Sequence, residues 1–232
     1  MAACAATLVA CLALPASSAA LSRCFGKVAT IVGTQGSDRL TGTDGNDIIS
    51  GLGGNDVIDG GEGQDLMCGD SGHDTIRGGK GDDVMLGGFD GLSDRLFGGP
   101  GSDYLSGDGR LYGGSGPDAL FTNYGDTVAD RLFGQGGDDI VVSHSQNAIY
   151  LSGGPGNDKV TGGPGPDVLL GGPGRDRLSG HNAGDRLFGN SGDDRLLGGL
   201  GDDILSGGPG FDVGSGGPGR DVCRGPCDRI RP

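Results

Sequence analysis

Large aliphatic side chains recur along this chain at a fixed interval. Leu40, Ile49, Ile58, Met67, Ile76 and Met85 stand nine residues apart, and Val160, Leu169, Leu178, Leu187, Leu196 and Leu205 repeat the step. Two positions before each of them is an aspartate, and glycines fill most of the space between. No helical stretch follows any of these glycines. A constant period of this kind identifies a repeat architecture, in which each unit buries its apolar residue only by stacking on its neighbours. One aliphatic side chain per nine residues makes a thin core.

The unit is clearest from Gly153 to Arg224, where it runs GGPGNDKVT, GGPGPDVLL, GGPGRDRLS, GHNAGDRLF, GNSGDDRLL, GGLGDDILS, GGPGFDVGS, GGPGRDVCR. The same frame begins at Gly33 with GTQGSDRLT and GTDGNDIIS. Glycine holds the first place, a second glycine usually the fourth, aspartate the sixth and an aliphatic residue the eighth. Nineteen aspartates occupy the sixth place, and all but two are followed by Leu, Ile, Val or Met two residues on; the exceptions lead to Gly214 and Cys223.

This phrase resembles G-G-x-G-x-D-x-U-x, the calcium-binding nonapeptide of the repeats-in-toxin (RTX, haemolysin-type) family, over about residues 33 to 224. The resemblance implies an all-β fold, a parallel β-roll (a right-handed β-solenoid). In such a roll the first six residues of a unit form a turn and the last three a short strand. Turns alternate edges, so two repeats make one coil. It implies multiple Ca²⁺ ions, each shared between two turns stacked on one edge. The ligands carried over are Asp38, Asp47, Asp56, Asp65, Asp74, Asp83, Asp94, Asp103, Asp139, Asp158, Asp167, Asp176, Asp185, Asp194, Asp203, Asp212 and Asp221, together with turn carbonyls. Asp118 and Asp130, in the irregular centre, are left out of that set.

The residue types suit that chemistry. Calcium takes 6–8 oxygen ligands, which a sharply bent turn can supply. Glycine at the first, second and fourth places is expected to provide φ > 0. Asn or Asp at the fifth (Asn46, Asn55, Asp82, Asp138, Asn157, Asp193, Asp202) suits a tight turn and tolerates the left-handed region. Asp38, Asp56 and Asp74 should stack on one edge, and Asp47, Asp65 and Asp83 on the other. Carboxylates one strand spacing apart repel unless a cation lies between them. The chain holds 30 Asp and a single Glu, Glu62, so the acid must be short-armed. With so thin a core, the metal-free chain is expected to be largely disordered and calcium binding to supply folding energy.

Composition narrows the partners. A formal charge of −14 argues against nucleic acid and anionic membrane, and fits a chain neutralised by divalent metal. Residues 1–20, MAACAATLVACLALPASSAA, read as a secretory signal peptide, although no Lys or Arg precedes the apolar run. Leu8-Val9-Ala10-Cys11 matches a lipobox, yet only seven residues precede it, so secretion is preferred to lipid anchoring. No later run is long enough for a transmembrane helix. Cleavage leaves Cys24, Cys68, Cys223 and Cys227. An even number outside the cytosol suggests disulfides, and Cys24–Cys68 with Cys223–Cys227, one at each end, is the favoured pairing.

Residues 21–32 are read as an N-terminal cap in which Val28, Ile31 and Val32 cover the first coil, and 225–232 as a C-terminal tail. Insertions interrupt the frame at about 87–152, where GDGRLY (Gly107–Tyr112) and SHSQNAIYLS (Ser143–Ser152) keep the strand but lose the turn motif. His73, His144 and His181 are isolated and read as solvent-exposed. HExxH, GxSxG, an EF-hand loop and a P-loop lysine are absent, so no enzyme is expected. The expected protein is a monomeric, extracellular calcium-binding module with a structural or adhesive role towards polysaccharide or cell surface. The alternative is a non-catalytic accessory to a secreted enzyme.

Overall fold

The computed structural model describes residues 23–122 and 130–224. The stretches read as a signal peptide and lipobox, the expected C-terminal tail with Cys227, and residues 123–129 of the central insertion lie outside the described residues. Two parallel sheets of 11 strands each, and a two-stranded antiparallel pair at the start, make up the regular structure. Among the described residues there is no helix.

The chain alternates between the two large sheets. Arg39–Thr41 lies in one, Ile48–Ser50 in the other, Val57–Glu62 returns to the first and Leu66–Cys68 to the second. Regular strands pair in parallel with the strand 18 residues on, so Leu40 faces Ile58 and Ile49 faces Met67. This is a parallel β-roll with two repeats per coil. Many strands are three residues long, at the seventh to ninth places. Others, such as Val57–Glu62 and Arg186–Ser191, run on into the next turn.

A three-residue strand on a sheet points its middle side chain opposite to its neighbours. The eighth-place residues therefore all face inwards, and Ile49 to Leu205 form one continuous cluster at 0–4% exposure. Leu111 and Leu151, from the two stretches without the turn motif, occupy the same column. The core therefore runs unbroken through the irregular centre. Outside it, Phe97, Tyr112 and Phe133 stack on one face with centroids 5.0 Å apart, and Tyr150 joins them at 5.6 Å.

The N-terminal end differs from the expected cap. Arg23–Cys24 and Lys27–Val28 form an antiparallel hairpin, and Ile31–Val32 joins the second sheet. Ile31 packs against the core, but Val28 and Val32 are exposed because an alternating strand can bury only one of its faces. Fully buried Cys24 supplies the remaining cover and is disulfide-bonded to Cys68.

Candidate metal centres at the turn edges

Sixth-place aspartates precede each short strand, at the point where the chain leaves the turn. The parallel register lines them up in two columns, one on each edge. Asp38, Asp56, Asp74 and Asp94 follow one another on the first edge, and Asp47, Asp65, Asp83 and Asp103 on the second. Within a column, Oδ1 of each aspartate accepts the backbone N–H of the sixth-place residue one coil earlier. The distance is 2.9 Å from Asp65 N to Asp83 Oδ1 and 2.8 Å from Asp56 N to Asp74 Oδ1. The second column is continuous through Asp118, Asp139, Asp158, Asp176 and Asp194 to Asp212. The first is interrupted twice: Gly109 stands one coil after Asp94, and Ile149 one coil before Asp167. Beyond Asp167 it resumes through Asp185 and Asp203 to half-buried Asp221.

Asp118 and Asp130 take the same place as the other aspartates. Asp118 accepts the Asp103 N–H, and Asp130 the Gly109 N–H. Both were counted at the sixth place in the sequence, with Leu120 and Leu132 two positions on, but their irregular spacing kept them out of the ligand set.

The second carboxylate oxygen carries the chemistry. In Asp56, Asp65, Asp74, Asp83, Asp103, Asp118, Asp139, Asp158, Asp176, Asp185, Asp194, Asp203 and Asp212, Oδ2 is buried without a hydrogen-bond partner. A buried, unsatisfied anionic oxygen is costly, and one at most of the turns is a periodic demand for a positive ligand. Burial, above all, raises Asp56, Asp65, Asp74, Asp83, Asp103, Asp118, Asp139, Asp158, Asp176, Asp185, Asp194 and Asp203, opposed by the ladder N–H and reinforced by neighbouring carboxylates. Asp83, Asp118, Asp139, Asp176 and Asp185 are pushed up to about 7, and Asp74, Asp103 and Asp158 to about 6. Among the described residues, no three His, Cys, Asp or Glu side chains converge. A cation here would be held by one or two carboxylates and by turn carbonyls, a donor set suited to a hard ion such as Ca²⁺.

The glycines have a different division of labour from the one expected. First-place glycines do not have positive φ; a Cβ at Gly171 would collide with Oδ2 of Asp176, so glycine there makes room for the carboxylate. Positive φ belongs to the second and fourth places, as at Gly172 (134°) and Gly174 (146°). The fifth-place Asn and Asp residues do not adopt the left-handed region either. Their side-chain oxygens instead accept the backbone N–H one coil later: Asn55 from His73, Asp138 from Asn157, and Asp193 from Phe211. This second, exposed ladder explains their recurrence. His73 and His181 are exposed as expected. His144 is half-buried, its Nδ1 3.1 Å from the Thr122 carbonyl oxygen.

A family model for the RTX calcium-binding nonapeptide repeat matches residues 32–67, 69–91, 90–120, 112–147, 152–187 and 179–214. No curated protein matches the chain. The stacked carboxylates, the glycine-lined turns and a match that runs nearly the length of the roll agree, and the chain belongs to the RTX calcium-binding nonapeptide repeat family.

Proposed function

We propose that this chain is a secreted, non-catalytic module whose folding is driven by Ca²⁺ ions held between turns stacked on the same edge. The observation that carries this reading is the column of buried, partnerless Oδ2 atoms. Bound Ca²⁺ supplies positive charge and oxygen coordination. The chain's own residues contribute the carboxylates, and the Oδ1 ladders hold each carboxylate in register with its neighbour. The Cys24–Cys68 disulfide suits an oxidising, extracellular setting. Calorimetry on the chelator-treated protein tests the choice of metal. Calcium should bind with a negative heat-capacity change from coupled folding, whereas Mg²⁺, which keeps its waters and demands octahedral geometry, should not fold the roll. Equal folding by Mg²⁺ would overturn the assignment.

A specific observation supports an adhesive role towards carboxylated polysaccharide. Arg95, Arg110 and Arg131 are exposed and in register on one sheet, and Lys159, Arg177 and Arg195 on the other. In a chain of net charge −14, two columns of like cations on flat faces are concentrated sites for a linear polyanion. Polygalacturonate should bind the calcium-loaded protein in a salt-sensitive manner, and the R95A/R110A/R131A variant more weakly. No binding, or affinity unchanged in the variant, would remove this reading.

A further inference from the structure

The turns fall into two conformations, and the fate of Oδ2 divides them. In most turns the second-place residue has positive φ. This holds whether it is glycine, as at Gly61 (107°) and Gly79 (113°), or a larger residue, as at Leu52 (76°), Gln135 (81°) and Asn190 (75°). In each of these five turns the sixth-place Oδ2 is buried and partnerless. Among the described turns of regular length, leaving aside the lengthened Gly87–Asp94 turn whose Gly88 also lacks positive φ, three differ: Gly33–Asp38, Gly42–Asp47 and Gly162–Asp167. Neither their second place (Thr34, Thr43, Gly163) nor their fourth (Gly36, Gly45, Gly165) has positive φ. The second-place N–H instead turns inwards and donates to Oδ2 of the same turn, at 2.6 Å in Thr34–Asp38, 2.6 Å in Thr43–Asp47 and 2.7 Å in Gly163–Asp167. Thr34 Oγ1 adds a second donor to Asp38 Oδ2 at 2.8 Å, and Thr43 Oγ1 one to Asp47 Oδ2 at 2.9 Å.

The location of these closed turns is consistent. Asp38 and Asp47 begin their columns, so no sixth-place carboxylate lies one coil before them. Asp167 follows Ile149, which has no carboxylate to offer. Each of these three closed turns thus occurs where the coil before it lacks the carboxylate with which a metal would be shared. The donor set points the same way: an oxygen already accepting one or two N–H or O–H bonds is a satisfied acceptor, and a cation would have to displace those donors.

We infer that Asp38, Asp47 and Asp167 are metal-free turns that end the calcium columns, with the chain's own N–H and threonine hydroxyl groups in the role that calcium has elsewhere. This rests on the calcium reading of the open turns and separates from it by experiment. Cys68 of the Cys24–Cys68 disulfide pairs with Ser50, in the strand that follows Asp47, so the N-terminal end is held by covalent and hydrogen bonds and not by metal.

Bound calcium counted by equilibrium dialysis and elemental analysis on the whole chain tests the inference. Asp38→Asn and Asp47→Asn keep an acceptor oxygen facing the threonine and should bind as many ions as the parent protein. Asp65→Asn and Asp83→Asn, in open turns, should each lose at least one ion. Equal losses from both pairs would overturn the inference and leave the calcium reading intact, whereas a parent protein that binds no calcium would overturn both. Should Asp47→Asn fail to fold, anomalous diffraction from crystals of the unaltered protein grown in calcium decides. The inference requires an ion beside Asp65 and Asp83 and none between Thr43 and Asp47; an ion there would contradict it.

Discussion

At the residue scale, the sixth-place aspartate has two oxygens with separate tasks. Oδ1 is bound into the ladder and fixes register, while Oδ2 is buried without a partner in the open turns and bonded by the chain itself in the closed ones. The consequence for pH follows from the direction of the shifts. Burial raises Asp83, Asp118, Asp139, Asp176 and Asp185 from 3.8 to about 7 in the metal-free roll. A carboxyl whose folded-state value lies above its unfolded one favours the folded state when protonated. That contribution is complete below the unfolded value and is lost as pH rises through about 7. The chelated chain should therefore be more ordered near pH 5 than at pH 7.5, and calcium, which competes with those protons, should bind more weakly near pH 5. Far-UV circular dichroism of the chelated protein and calcium titrations at both pH values measure this. Calcium affinity that does not fall with pH would show that these carboxylates are not the ligands. Sequence alone exposed the aspartate column but not its division of tasks. Whether Oδ2 is closed or open depends on the φ of a residue four positions earlier, and glycine occurs there in both states, as Gly163 and Gly172 show.

At the element scale, the roll's strands are uniform and its turns are not. The eighth-place residues set the strands, and their period was legible because burial in one column tolerates little other than an aliphatic side chain. Turn irregularities were harder to place. The insertion before Asp94 and the shortened unit at Gly107–Tyr112 shift the numbering without shifting the register, since Leu96 still faces Leu111. The same coils hold the interruptions at Gly109 and Ile149, and they hold the aromatic stack of Phe97, Tyr112, Phe133 and Tyr150. Ring contact bridges neighbouring strands where the carboxylate column cannot. Because the rings face one another along the roll, their flat faces are engaged in this packing. Tyr112→Ala removes contacts on both sides, and each aromatic pair contributes about 0.5–1.5 kcal/mol beyond area burial. The variant should lose about 1–3 kcal/mol of local stability, read in calcium as faster amide exchange across Gly109–Ser115. Unchanged exchange there would mean the stack is incidental.

At the scale of the whole molecule, one aliphatic core, built from a column on each sheet, separates two acidic edges, and the faces between carry the cationic columns. The Cys24–Cys68 bond closes a segment with a sequence separation of 44 residues, which in the chain-entropy account favours the folded state by about 4 kcal/mol. Its pairing was legible because an end coil needs cover. The fates of Val28 and Val32 were not, since cap strands lack the repeat that assigns inner and outer faces. The described core is this narrow seam alone, and it lies between ladders of buried carboxylates that repel one another when ionised. On the calcium reading proposed above, metal, more than apolar packing, holds successive coils together. The most direct test is far-UV circular dichroism of the purified chain at pH 7.5 after exhaustive chelation, followed by calcium titration. The chelated chain should give a largely disordered spectrum that converts cooperatively to β structure as calcium is added. A β spectrum that persists in chelator and does not respond to calcium would contradict it.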